Sequence, residues 1–285
     1  MVSLGIDIGG TSVKVAGVDG DGRLLWIGKS QPFARPDTAQ IVAAIRQATE
    51  GHDVATDAVG LCCPGLLDRA RRVITLSVNV PGLVDVPLDE LVARAVGAGR
   101  PAAAILSDAG AVGYDIYVDR RLSGRLLCLA LGTGVGACVI DEGGHFLHVS
   151  GESPGHFGQL DVSLDEAAPI GPDGGTGSLE AYIGAAALAA RYGGDPAGLE
   201  RMTANDPPVR ALVRAIRIAH AIYRPMHVCL TGGVGIRLKP LVDEIKAAVD
   251  RALTSVARPG WTLTTGESDY HAACGVARYA SATRG

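Results

Sequence analysis

Three short turns carry the residues whose chemistry is easiest to name: Gly9-Gly10-Thr11, Gly132-Thr133-Gly134 and Gly232-Gly233, each after an apolar run. Glycine lets the main chain approach an anion closely, and successive N–H groups form a concave nest for negative oxygens. A threonine hydroxyl adds a donor. The chemistry is phosphate binding. A GxxxxGK[ST] loop does not occur, so this is not a P-loop protein. The second turn reads GTGVG, and alternating Val135, Cys138 and Ile140 follow it. A dinucleotide fingerprint would open a helix there. The first two turns are therefore hairpins, strand into strand.

The elements that position these turns are legible from periodicity. Residues 3–8, 13–19 and 23–29 read as strands, with "DGDG" at 19–22 as a hairpin signal. Residues 37–50 read as a helix capped by Asp37, with Ile41, Val42, Ile45 and Ala48 on one face. Strands follow at 58–63 and 102–106, and a helix at 88–97. Ser178 caps a predicted helix over 179–192. Asn205 or Asp206 caps another, with Pro207 and Pro208 in its first turn and Val209, Leu212, Val213, Ile216, Ala219 and Ile222 inward. A strand at 226–230 leads into TGGVG, and helices are predicted at 240–254 and 269–282. Residues 165–177 form a Pro/Gly-rich loop. Strands alternating with helices make an α/β fold with a mostly parallel sheet.

The opening repeats. With Thr11 set on Thr133, Gly10 falls on Gly132, Val13 on Val135, Asp19 on Asp141 and Gly22 on Gly144. A duplicated strand–turn–strand unit implies two similar lobes, each offering one Gly/Thr hairpin to a cleft between them.

Composition narrows the class. The 285 residues are 47% hydrophobic and 20% charged, an ordinary globular balance. The net charge of -4 comes with no basic patch for nucleic acid and no polybasic tail for a membrane surface. No apolar run reaches the about 18 residues of a membrane helix, and nothing reads as a secretory leader. The expectation is a cytoplasmic protein that binds neither membrane nor nucleic acid. Six cysteines, none in a CxxC pair, read as reduced core thiols.

Taken in order, the motifs resemble the ROK (repressor, ORF, kinase) branch of the actin-like (ASKHA) sugar kinase superfamily. "DIGGT" is similar to its first phosphate loop and "CCPGLLD" at 62–68 to its GxPGxVD segment, with Cys62 in place of the first Gly. "VNVPGLVDVPL" at 78–88 resembles its sugar-contacting Asn segment, and "LSDAGAVGY" at 106–114 the block with the catalytic Asp. "LGTGVG" resembles the second phosphate loop, "GSLEAYIG" the LE block and "LTGGVG" the adenosine-side glycines.

The resemblance implies a two-lobed actin-like (ribonuclease H-like) fold: residues 1–108 plus 269–285 as the small lobe, and 109–268 as the large, nucleotide-side lobe. It implies an ATP- and Mg2+-dependent kinase acting on a hexose or hexose derivative, and a homodimer, since members often form one. Asp108 would be the general base, while Asp7 would hold magnesium through water. Gly9, Gly10, Thr11, Gly132, Thr133, Gly134, Gly232 and Gly233 would bind ATP. Gly65, Asn79, Asp108, His156, Gln159 and Glu180 would line the sugar. Lys14, three residues beyond Thr11, is expected on the opposite strand face and outside the site.

The chain also departs from the pattern. "GHFGQ" at 155–159 stands for GExGH, placing His156 at the sugar-binding Glu and Gln159 at the His that also ligates zinc. Residues 160–180 hold no cysteine, so no structural zinc is expected. Ser107 and Gly110 replace two Asn residues flanking the catalytic Asp. Two alternatives stay open: a catalytically weak sugar-binding sensor, and a kinase using polyphosphate as donor.

Overall fold

A computed structural model describes residues 2–52, 56–97, 102–149, 155–165, 167–171, 174–193, 199–254 and 260–283. Of the Pro/Gly-rich loop, Glu166, Pro172 and Asp173 lie outside the described residues. The chain divides into two compact units, Met1–Asp119 with Ser268–Gly285, and Arg120–Glu267. No helix among the described residues is long and apolar enough to cross a membrane.

The first unit is built on a five-stranded sheet. Its strands are β1 (Val2–Ile8), β2 (Val13–Asp19), β3 (Leu24–Lys29), β4 (Ala58–Cys62) and β7 (Ala104–Leu106), in the order β3-β2-β1-β4-β7. β1, β4 and β7 are parallel, and the hairpins to β2 and β3 are antiparallel. A small hairpin, β5 (Leu66–Asp68) with β6 (Val73–Leu76), stands apart. Helix α1 (Thr38–Ala48) carries the expected cap as a full capping box: Gln40 N–H donates to Asp37, and Asp37 N–H donates to the Gln40 side chain. Its predicted stripe is buried, packing with α2 (Leu88–Val96) into the unit's core.

Helix α3 (Asp108–Asp119) falls in the first unit, so the division lies after Asp119 rather than after residue 108. The reason is the last helix. Numbered in this chain as α9, it spans His271–Ala282 and packs on both α3 and the sheet. A Cβ at Gly275 would collide with the Ala111 carbonyl of α3, and one at Gly5 or Gly60 with the Ala273 or Val276 carbonyl of α9. Buried Asp115 joins the two helices, accepting from Arg278 and paired with His271, each at 2.6 Å.

The second unit repeats the plan. Strands β8 (Leu126–Leu131), β9 (Val135–Ile140), β10 (His227–Thr231) and β11 (Thr262–Thr265) run in the order β11-β10-β8-β9. β8–β9 is an antiparallel hairpin, and β10 and β11 join in parallel, as β4 and β7 join β1. The turns repeat atom for atom. Asp19 Oδ1 accepts from the N–H groups of Asp21 and Arg23, and Asp141 Oδ1 accepts from those of Gly143 and His145. Gly22 and Gly144 both take positive φ and close on those aspartates. The phosphate turns differ by one residue. Ile8 pairs with Val13 across four residues, and Leu131 pairs with Val135 across three. The ungapped alignment therefore holds from the turn onward and slips by one in the preceding strand.

Three helix expectations change. The helix over 179–192 is two helices, α4 (Leu179–Ile183) and α5 (Ala185–Tyr192), broken where Gly184 is extended. Ala185 N–H leaves the helical ladder and donates to Gly132 O. On α6 (Pro207–Ile222), Asp206 occupies the cap position but makes no side-chain cap bond and accepts from Thr203 N–H instead. Ile222 is 59% exposed at the helix end rather than inward.

The packing at Gly275 has a measurable consequence. Alanine normally favours a helix interior over glycine by roughly 1 kcal/mol. Here Gly275→Ala is expected to destabilise the protein by about 1–3 kcal/mol, the usual cost of overpacking. Urea unfolding checks the sign, and a stabilised variant contradicts the close approach.

Candidate active site

In the first unit, chemistry concentrates where three parallel strands end. The register sets Asp7 beside Cys62 and Cys62 beside Leu106, so β1, β4 and β7 finish side by side. Asp108 follows β7 as the first residue of α3. The ligating atoms of Asp7, Cys62 and Asp108 lie within 4.8 Å of one another. Ser107 caps α3 through its hydroxyl, which accepts from Gly110 N–H at 3.3 Å. The cap is thus Ser107, while the Asp108 carboxylate accepts from its own backbone N–H at the helix start. Cys62 Sγ donates to its Oδ1 at 3.4 Å.

Both carboxyls hold their protons more tightly than usual. Burial, and then the Asp108 charge, push Asp7 up to about 7, while Lys14 and the adjacent Cys62 side chain pull it down. Asp108 is open to solvent on one side, yet neighbouring protein withholds water from the rest and raises its pKa; the Cys62 hydrogen bond acts the other way. Lys14 corrects a sequence expectation. It pairs directly with Asp7 across β1–β2, and directly opposed residues share a sheet face. Counting from Thr11 missed this because the turn's residues do not alternate as a strand does.

The phosphate turn itself is open. Thr11 is exposed, Gly9 N–H closes the turn on Ser12 O, and Thr11 O accepts from Phe33 N–H. Gly10 faces Asn79, whose Cβ would be 3.2 Å from a Cβ at that glycine. Asn79 is itself exposed. Gly65 takes φ 123 where the β5 hairpin leaves β4, and any side chain there would strike the Leu76 carbonyl.

In the second unit, Gly132, Thr133 and Gly233 line one cavity of about 270 Å3, with Leu188, Leu199 and Arg237 among the other walls. Tyr192 also lines it, and its hydroxyl is buried without a hydrogen-bond partner among the described residues. Gly232 takes φ 76 against the Leu131 carbonyl, which seats the start of α7 (Gly232–Arg237) on β8. Glu180 lies beside Gly134 and accepts from Val135 N–H at 3.0 Å. His156 and Gln159 are exposed around a short 3-10 turn, Phe157–Gln159. The predicted residues thus gather into Asp7 with Asp108, Gly10 with Asn79, Gly134 with Glu180, and Gly132, Thr133 and Gly233 around the cavity. Sequence reasoning missed Lys14, for which the β1–β2 hairpin register was the available signal, and Cys62, which a parallel pairing across the sheet brings to the site.

The ROK family's sequence profile matches residues 3–282. The chain belongs to that family. Glucokinase of Streptomyces coelicolor is 30% identical over 143 residues, 49% of this chain and 43% of that protein, so the match spans less than half that relative's length. Among solved structures, a ROK hexokinase from Thermus thermophilus superposes with a TM-score of 0.77 at 26% identity, covering all of both chains. A ROK family glucokinase from Streptomyces griseus, solved with glucose and AMPPNP, gives 0.71 at 22% identity, covering 98% of this chain and 99% of that one. The fold is the duplicated actin-like one of these proteins.

The donor set suits a hard divalent cation. Two carboxylates at a strand end match magnesium, which keeps much of its water. The Cys62 thiol, pushed well above its ordinary pKa by burial, stays protonated and is no ligand for it.

The Asp7 shift gives a stability test. Its pKa is raised on folding, so its contribution is fully present below the unfolded value of 3.8 and is lost as pH rises through about 7. Asp7→Asn removes that loss. The metal-free variant should exceed wild type by on the order of 2–4 kcal/mol near pH 8, with the gain vanishing below about pH 4. Thermal unfolding across that range checks it, and a pH-independent difference contradicts it.

Proposed function

We propose that the chain is an ATP-dependent sugar kinase, transferring the γ-phosphoryl group to a hydroxyl of a hexose or hexose derivative. The observation that carries this reading is the placement of Asp108: solvent-accessible at the start of α3, with the cap position taken by Ser107, and within 4.8 Å of Asp7 at the end of β1.

The chemistry needs a group that takes a proton from the attacking hydroxyl. Asp108 fills that role, and its raised pKa strengthens it as a base. Asp7 would hold Mg2+ through water, where the ion would supply charge neutralisation for the phosphoryl oxygens. The N–H groups of Gly10 and Thr11, and of Thr133 and Gly134, donate to phosphate oxygens, with the two Thr hydroxyls as further donors, while Gly9 and Gly132 use their own N–H groups to close the turns and let the main chain approach the phosphate. Gly65 and Asn79 in the first unit, and His156, Gln159 and Glu180 in the second, contact the sugar.

The second-unit cavity favours a nucleotide over polyphosphate. Its Leu188, Leu199 and Val234 walls offer apolar surface to a base, which polyphosphate lacks. Gly232 and Gly233 border the adenosine. The glucose and AMPPNP bound to the Streptomyces griseus neighbour support the same pair of substrates. We further propose a cytoplasmic homodimer.

Asp108→Asn keeps shape and removes the base. Turnover in a coupled assay should fall by about 100- to 10,000-fold, while sugar affinity by calorimetry stays within a few-fold. Near wild-type turnover would remove Asp108 from the mechanism.

His156 and Gln159 bear on substrate choice. Neither an imidazole nor an amide reproduces the acceptor-only grip of a carboxylate on sugar hydroxyls. The joint exchange His156→Glu with Gln159→His should raise glucose phosphorylation relative to other hexoses. An unchanged profile over a sugar panel would exclude both residues as specificity determinants.

A further inference from the structure

The first unit contains a polar contact that the mechanism above does not use. Cys62 ends β4, between Asp7 on β1 and Leu106 on β7 in the strand registers, and is fully buried. Its Sγ lies 3.4 Å from Asp108 Oδ1.

We infer that Cys62 is a positioning residue for Asp108, an inference that rests on the sugar-kinase reading: its thiol donates to Oδ1 and fixes the rotation of the carboxylate that takes the sugar proton. A carboxylate at the start of a helix can turn about its terminal bond, and a broad torsional well resists this weakly. The carboxylate accepts from its own backbone N–H, and a donor on a rigid, buried strand end adds a second restraint from another element. A bond held before the substrate arrives saves reorganisation during the reaction. The thiol itself neither gives up nor takes a proton in the cycle. Its one hydrogen is the donor of the contact, delivered from a fully buried position. Its position within 4.8 Å of the Asp7 ligand atom also fills the gap between two acids with a neutral group.

The test compares Cys62→Ala and Cys62→Ser in the full chain. Hydrogen bonds to charged groups are the stronger class, but a thiol is a weak donor. Cys62→Ala should therefore lower kcat by about five- to tenfold, with KM for the nucleotide unchanged. Cys62→Ser, which keeps a donor, should recover at least half of the loss. A Cys62→Ala enzyme with wild-type kcat, or a Cys62→Ser enzyme as slow as Cys62→Ala, overturns the inference. Infrared spectroscopy reads the contact without turnover. The S–H stretching band lost in Cys62→Ser should move to higher frequency in Asp108→Ala, and a band that stays put overturns the inference. A wild-type chain that phosphorylates no sugar overturns the kinase reading, while the infrared band still decides the contact.

Discussion

Backbone-to-backbone contact between the last helix and the first unit's sheet constrains everything built around it. Carbonyls of α9 come so close to β1 and β4 that Gly5 and Gly60 have no space for a Cβ, and Gly275 meets α3 in the same way. Protein interiors resist such compression, so the contact is rigid. One helix from the end of the chain thereby fixes the relative height of β1, β4 and α3. Asp7, Cys62 and Asp108 sit on those three elements. The ion pairs of Asp115 with His271 and Arg278 reinforce the same junction from a buried position.

That geometry works against the stability of the free protein. Asp7 and Asp108 are crowded together and partly dehydrated, and both carboxyls titrate high as a result. Such crowding is common at sites that bind cations and transfer protons, where function is retained at the expense of stability. The duplication shows that the fold itself does not require it. With the hairpins matched through their turns, Ala130 stands where Asp7 stands and Thr231 where Cys62 stands. The second unit keeps the strand ends and the turn while dropping the acids. Its own contribution lies instead in the cavity beside Gly132, Thr133 and Gly233.

Local signals were readable in the sequence because local physics produces them. Asp37 caps α1 in sequence-adjacent contacts, and the Asp19 and Asp141 turns close within four residues. Asp7 and Asp108 were legible through motif resemblance. What stayed hidden depends on contacts between distant residues. The break at Gly184 follows from a bond to Gly132 O, some fifty residues earlier in the chain. Lys14 shares a face with Asp7 only through hairpin register. Cys62 read as a core thiol, which its burial supports, but its bond to Asp108 spans 46 residues of separation. The division between units moved to Asp119 because α3 packs on a helix from the opposite end of the sequence.

The central claim is that Asp108 takes the proton from the sugar hydroxyl that is phosphorylated. A crystal structure of this chain with a hexose and a non-hydrolysable ATP analogue tests it most directly. The account predicts one sugar hydroxyl within about 2.6–3.2 Å of an Asp108 carboxylate oxygen and facing the γ-phosphoryl group, with Cys62 Sγ still on Oδ1. A sugar bound with no hydroxyl in reach of Asp108, or with another acid at the reacting hydroxyl, would contradict it.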